Sequence, residues 1–214
     1  MSQTSPTGPV YRIETARLVI RCWEPKDAPL LNAALRASWD HLGPWMPWAR
    51  GACPPIEQTL AGLRRWRGDF DHDRDYVYGI FSRDETLALG SAGLHTRRGS
   101  DVREIGYWIH ADHIGKGYAT EVTKALTKVA FEIDYVRLVE IHCLTNNVRS
   151  AAVPRKLGYT HEATLRRRIP TGDDGFGDAM IWTMLADAYP DSLAAGIELR
   201  AFDAMGQRLL RREE

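Results

Sequence analysis

The chain has 214 residues, with 28 Lys and Arg against 28 Asp and Glu; its zero formal charge offers no bulk attraction to nucleic acid or an acidic membrane. Its length suits one domain with elaborations, since domains commonly run to about 100 to 200 residues. Three scattered cysteines, Cys22, Cys53 and Cys143, with no CxxC pair, argue against a disulfide framework or a zinc site, and the polar start "MSQTSPTGPVYR" lacks an apolar signal core.

No window approaches the roughly 18 uncharged apolar residues of a membrane span. A soluble cytoplasmic protein is therefore expected. Residues 1–12 read as a loose tail, residues 13–187 as the domain, and residues 188–214 as a C-terminal extension.

In chain order, "RIETARLVIRCW" alternates into a strand with Leu18, Ile20 and Cys22 on one face. "EPKDAPLLNAALRAS" follows as a helix started near Asp27, and the tryptophan-proline segment "WDHLGPWMPWARGACPP" separates it from a second helix. That helix, "IEQTLAGLRRWRGDFDHD", sets Leu60, Leu63 and Trp66 on a common side. "DYVYGIFSR", "LALGSAGLHT" and "VREIGYWIHA" read as three strands divided by turn material. Next comes "ADHIGKGYATEV", two glycines flanking a lysine ahead of a long helix. "VRLVEIHCLT" reads as a buried strand, and "NNVRSAAVPRKLG" as a short helix with Asn147 as cap and Gly158 as stop. "YTHEATLRRR" and "DAMIWTMLA" close the set as paired strands around "IPTGDDGFGD". The final "GIELRAFDAMGQRLLRREE" reads either as a hairpin turning at "DAMG" or as a helix broken at Gly206. Strands grouped together and then separated by helices predict a mixed sheet with helices on its faces, an α/β or α+β architecture.

The glycine turn points unpaired backbone NH groups at one spot where the helix dipole favours an anion, so phosphate is the natural occupant. An ATP or GTP loop fails, because Gly117 follows Gly115-Lys116 where Ser or Thr is needed and no glycine lies five positions upstream. A dinucleotide fingerprint is weakened by Thr120 in place of a third glycine and by Glu140 lying within its strand.

With Gly115, Gly117 and Ala119 before one helix, and Asn147 with Ser150 opening the next, the chain resembles the GNAT acetyltransferases. The ordered set "ETARLVIRCWEPKDA", "EIGYWI", "GKGYATE", "NNVRSAAVPRKLGY" and "DAMIWTML" is similar to their RimJ/RimL branch from about Ile13 to Asp187. The resemblance implies a mixed, mostly antiparallel sheet with helices on both faces, splayed where acetyl-coenzyme A binds. The family's signature opens with Gln or Arg, and here that place holds Ile114, so pyrophosphate binding would fall on the backbone NH groups of Gly115, Lys116, Gly117, Tyr118, Ala119 and Thr120. The resemblance further places a strand bulge near Trp108 and Ile109 as the oxyanion site, and adds Trp108, Ile109, His110 and Asn147 to the cofactor contacts.

Acetyl transfer needs a free-base amine, a stabilised oxyanion and a proton for the departing thiolate. Glu104 is the candidate base, as in related enzymes, with His95 on the preceding strand as its rival; Glu104 reads equally well as a strand carboxylate paired to Arg97 or Arg103. Many relatives carry a donor tyrosine where this chain has Pro154. The branch instead carries a serine, matched by Ser150, which also reads as a first-turn serine saturating helix NH groups. Pro154 removes the NH that would bond the Ser150 carbonyl. Trp45 and Trp48, with His95, are the candidate acceptor-groove residues, although the tryptophans also suit a local apolar cluster. His110 and His113 lack a third ligand at recognisable spacing, so no metal is expected, and His142 reads as structural.

The expected activity is direct acetyl transfer, through a ternary complex, from acetyl-coenzyme A to a peptide N-terminus or a small amine. A non-catalytic coenzyme A sensor with the same fold is the alternative, and a nucleotide-binding oxidoreductase a weaker one. The acceptor stays open, and the C-terminal extension leaves room for a homodimer.

Overall fold

The computed structural model describes residues 9–171 and 175–209. Its strands are β1 (Arg12–Glu14), β2 (Leu18–Cys22), β3 (Tyr76–Ser82), β4 (Ala88–His95), β5 (Val102–Ile109), β6 (Leu138–Leu144), β7 (Thr160–Pro170), β8 (Phe176–Leu185) and β9 (Arg200–Phe202). The α-helices are α1 (Ala28–Leu42), α2 (Ile56–Asp71), α3 (Tyr118–Glu132) and α4 (Val148–Leu157). One sheet runs in the order β7-β8-β6-β5-β4-β3-β2-β1-β9. Its pairs are antiparallel except β5 with β6.

The stretch read as one strand from Arg12 is a hairpin. The Thr15 hydroxyl and amide tie to Leu18, turning the chain so that Ile13 faces Ile20 across the ladder. Leu18, Ile20 and Cys22 do share the core face. Val19 points oppositely, into a second apolar cluster with Trp23, Leu31, Leu35, Leu63, Phe81 and Trp108. α1 and α2 contribute to that second cluster, whereas α3 buries Val122, Ala125, Leu126, Val129 and Ala130 in the first. Helices therefore cover both faces. On α2 the inward stripe is Thr59, Leu63 and Phe70, and Leu60, expected beside Leu63, is exposed. A helical stripe falls on i, i+4, i+7 and i+11, and residue 60 lies one position off it.

β5 and β6 pair from Val102 with Leu138 to Glu104 with Glu140 and no further. Beyond that point each strand stays bonded to its outer neighbour, β5 to β4 as far as Ile109 with Gly90, and β6 to β8 as far as Leu144 with Ala179. Divergence thus costs no outer hydrogen bond but leaves two facing inner edges without a ladder. Unpaired backbone groups in a protected gap demand partners, which makes the gap a place for a ligand with amides of its own.

The expected bulge near Trp108 and Ile109 is absent, because β5 keeps one unbroken register with β4. The irregularity lies one strand over, in β4, where Ile80 faces Gly90 and Phe81 faces Ala88, leaving Leu89 over. The assigned tail also ends earlier than residue 12. Val10 is buried and the Tyr11 amide bonds the Phe202 carbonyl, while residues 1–8 lie outside the described residues. The C-terminal segment packs on this chain's own sheet, with Tyr189, Ala194 and Ala201 in the core and β9 paired to β1. Of its two readings, the hairpin turn at "DAMG" is the one formed, closed by a bridge from Phe202 to Arg208. In "IPTGDDGFGD" the strands reach in to Pro170 and Phe176, and residues 172–174 lie outside the described residues.

Candidate active site

Gly115 and Gly117 sit at φ 75° and 81°, the left-handed region that glycine alone enters without cost. Gly117 is the N-cap of α3 and has no side chain to cap it, and among the described residues no other side chain bonds the first-turn amides, which are left to face an anion. A Cβ at Gly115 would meet nothing within 4 Å. The space over the loop is open, and its chemistry fits a diphosphate.

A residue the sequence reading missed braces this loop. Arg17, from the β1–β2 turn, donates to the Lys116 carbonyl at 2.8 Å and pairs with Glu121 through Nε at 2.6 Å. Thr15 Oγ1 adds a 2.6 Å bond to the same carboxylate. Glu121 occupies the first turn of α3, where an unneutralised carboxylate would compete with a bound anion for the helix dipole. The signal available was "TAR" ahead of the first long strand, but its meeting with residue 121 depends on the fold.

A cleft of about 820 Å³ joins this loop to the strand gap. Its walls bring together Trp45, Trp108, Ile109, Gly115, Gly117, Tyr118, Ala119, Thr120, Asn147 and Ser150. Other expected contacts fall elsewhere. His110 is buried and its Nδ1 accepts from the Asp112 amide, capping the turn before the loop. The Lys116 ammonium reaches His113 Nδ1 at 3.1 Å. Burial and that ammonium hold His113 below the usual histidine range. Trp48 is half exposed and stands between Trp39 and Trp108, with ring centroids 6.1 and 6.4 Å away. Arg50 bonds the carbonyls of Pro170 and Thr171, fastening the tryptophan segment to the end of β7.

Glu104 and His95 are cross-strand partners on the face that also carries Trp108. Neither lines the cleft. Glu104 pairs with Arg97 at 2.9 Å and lies 4.0 Å from His142 Nδ1, and His142 Nε2 is 3.0 Å from Glu140. Of the pairings foreseen for Glu104, Arg97 is realised, while Arg103 pairs with Asp134. His142 is thus a member of this polar cluster, beside the last paired rung of β5 and β6. His95 Nδ1 lies 2.8 Å from Asp75. Its ring lies across Gly93, where a Cβ would fall 2.0 Å from Nε2. Burial raises the Asp75 carboxyl, but its bond and attraction to His95 outweigh that and hold it below the usual range.

Ser150 stands on the opposite face. Asn147 caps α4 by accepting from the Ser150 amide at 3.1 Å, and Gly158 at φ 86° ends the helix. The Ser150 carbonyl, deprived of its helical partner by Pro154, accepts from the Tyr107 hydroxyl at 3.2 Å, and Tyr107 Oη lies 3.3 Å from Ser150 Oγ. Alternation along β5 sets Tyr107 on the face opposite Glu104. The proline signalled a missing donor, but not which strand supplies one. Ser150 lines the cleft beside the opening between β5 and β6, and the Glu104 cluster lies on the other face of the sheet at the last paired rung before that opening. Burial pushes the Cys22 thiol up to about 11 and also raises Cys53 and Cys143. These thiols stay protonated near neutrality, which removes the usual nucleophilic form.

The fold together with the family match defines an acyltransferase. The chain belongs to the GNAT family of acetyltransferases and is an N-acetyltransferase, its residues 17–160 matching the family described as "Acetyltransferase (GNAT) domain". It is 29% identical over 150 residues to YdaF of Bacillus subtilis (strain 168), named provisionally as a ribosomal N-acetyltransferase, covering 70% of this chain and 81% of that one. The ribosomal-protein-serine acetyltransferase of Escherichia coli (strain K12) is 25% identical over 119 residues, 55% of this chain and 65% of that one. Among solved structures, the microcin C7 self-immunity acetyltransferase MccE, in complex with acetyl-CoA and AMP, superposes with a TM-score of 0.74 at 18% identity, covering 85% of this chain and 98% of its own. RimL, the ribosomal L7/L12 α-N-protein acetyltransferase in complex with coenzyme A, gives 0.72 at 20% identity, with coverage of 81% and 97%. These likenesses establish an open mixed sheet of GNAT type. Among the described residues, no helix is long and apolar enough to cross a membrane, and no group of three or more His, Cys, Asp or Glu is placed to hold a metal ion.

Proposed function

We propose that this enzyme transfers the acetyl group of acetyl-coenzyme A directly to a primary amine, the α-amino group of a protein such as a ribosomal protein being the favoured acceptor. The observation that carries this reading is the strand gap, which adjoins the glycine loop and Ser150 in one cleft and opens just past the rung that holds Glu104. The names of the relatives support the acceptor class. A ribosomal acceptor supports a cytoplasmic location for the enzyme.

The amine must attack as a free base, which favours an α-amino group of pKa about 7.7 to 8.0 over a lysine near 10.4. As the nitrogen bonds the thioester carbon, its proton leaves toward Glu104, directly or through water. The backbone amide of Ile109, at the edge of β5 that β6 leaves, faces the developing oxyanion, whereas the Trp108 amide turns toward β4. The C–S bond then breaks, the sulfur takes the proton of Ser150 Oγ, and water in the cleft restores it. Trp45 and Trp48 form the apolar side of the acceptor groove.

Thiol release from acetyl-coenzyme A tests this with a panel of short peptides starting in Ser, Ala or Met, together with small polyamines. Turnover of at least one amine is expected, with intersecting initial-rate patterns and with Ser150→Ala and Glu104→Gln each lowering kcat. Acetyl-coenzyme A binding without thiol release on any amine would instead describe a non-catalytic sensor. Loss of the basic ionisation of the pH–rate profile in His95→Asn, with Glu104→Gln unaffected, would move the base role to His95.

A further inference from the structure

Pro154 sits four residues after Ser150 in α4, so the Ser150 carbonyl has no helical NH to accept from. The partner it finds is the Tyr107 hydroxyl on β5, which is also 3.3 Å from the Ser150 hydroxyl. One phenol thus serves two oxygens of the same residue. Its single hydrogen engages either the carbonyl or Oγ, and its lone pairs accept from Oγ when the hydrogen is on the carbonyl. Tyr107 and Ser150 both line the cleft, at the point where β5 has lost β6 as a partner.

We propose that Tyr107 is a positioning residue for acetyl transfer: anchored on the carbonyl that Pro154 leaves open, its phenol holds the Ser150 hydroxyl at the strand gap and turns from acceptor to donor toward Oγ as that hydroxyl engages the departing sulfur. This rests on the donor role given to Ser150 above. No proton leaves Tyr107. The Ser150 Oγ–H bond breaks as the S–H bond forms, and the Tyr107 hydrogen bond steadies the charge on Oγ until water reprotonates it. Burial drives the Tyr107 phenol far above its ordinary range, against a smaller downward pull from Ser150, so it stays a neutral donor at working pH. The buried Cys143 thiol, which Ser150 also touches, is raised by burial and is not a competing base.

The test is single-turnover acetyl transfer to the fastest amine of the panel. The enzymes are wild type, Tyr107→Phe, Ser150→Ala, both together, and Tyr107→Phe with Pro154→Ala. One lost hydrogen bond corresponds to about tenfold. Tyr107→Phe is expected to slow transfer by about that factor with little change in the acetyl-coenzyme A Kd, and to add nothing in the Ser150→Ala background. Pro154→Ala returns an NH to the Ser150 carbonyl, so in the Tyr107→Phe enzyme it should recover the melting temperature and leave the rate slow. Rate recovery by Pro154→Ala would reduce Tyr107 to a helix anchor and overturn the proposal. So would equal slowing by Tyr107→Phe with and without the Ser150 hydroxyl. A slow Ser150→Ala enzyme beside a Tyr107→Phe enzyme of wild-type rate removes the present inference alone, whereas a wild-type rate for Ser150→Ala removes the donor reading first and this inference with it.

Discussion

Replacing Gly117 by Asp and by Asn separates charge from shape at the proposed diphosphate site. Both side chains must enter φ 81°, a strain of about 1 to 2 kcal/mol that Asn and Asp relieve better than most residues and share with each other. Neither meets a wall, since a Cβ at 117 would lie 3.5 Å from Arg17 Nη2, ordinary contact. The pair therefore differs by one negative charge at the mouth of α3. At about 5.5 Å from a phosphate charge, an effective dielectric between 80 and 20 gives a repulsion of about 0.8 to 3 kcal/mol, or about 4- to 150-fold in affinity. Arg17 neutralises part of the new carboxylate, although Glu121 and the Lys116 carbonyl already engage it. The lower half of the range is therefore expected, about 5- to 20-fold. Calorimetry with acetyl-coenzyme A should show Gly117→Asn binding more tightly than Gly117→Asp by that factor, with the gap narrowing as salt is added. Equal affinities at low ionic strength would show that no anion is held by these amides, and the assignment of the cleft would fall with them.

Arg17→Ala takes the cation from the Glu121 carboxylate in the first turn of α3 and leaves it the Thr15 hydroxyl; for a dipole-site charge of about 0.3 to 1 kcal/mol the acetyl-coenzyme A Kd should rise about 2- to 5-fold, and Glu121→Ala added to it should restore binding. Leu63→Ala, fully buried, should cost about 2 to 5 kcal/mol and lower the melting temperature by about 4 to 20 °C. Its exposed neighbour Leu60→Ala should change stability by less than about 0.5 kcal/mol. Acid should unfold the protein through a particular set of carboxylates. Burial raises Glu14, Asp71, Asp75 and Glu85, but arginine or histidine partners outweigh it and hold each below its ordinary value. Their stabilisation is present above the unfolded pKa near about 4 and is lost as pH falls through the lower folded values. Asp134, raised by burial despite Arg103, acts in the opposite sense. The melting temperature should hold from neutrality to about pH 5 and drop steeply below about 4; a flat profile to pH 3 would contradict these ion pairs.

The sequence by itself determined the elements whose signals are local. Period-two runs became β3, β4 and β5, Asn147 and Gly158 bounded α4, and the paired glycines opened α3, because alternation, capping and left-handed φ are set by near neighbours in the chain. The glycine loop was legible for the same reason, whereas Ser150 as a candidate came from the family resemblance. The tertiary structure decided what depends on residues far apart in sequence. The ladder between β5 and β6 stops at Glu104 and Glu140 because each strand follows its outer neighbour, and no local pattern records that. Arg17 reaches Glu121 across 104 residues and Tyr107 reaches Ser150 across 43, each meeting created when strands and helices pack. The strand expected to bulge stays regular, and β9 pairs with β1 of its own sheet, since register and edge pairing are settled by which strands become neighbours. Pro154 shows the boundary most clearly: the chain announces a carbonyl without a partner, and only the packed fold says that Tyr107 answers it.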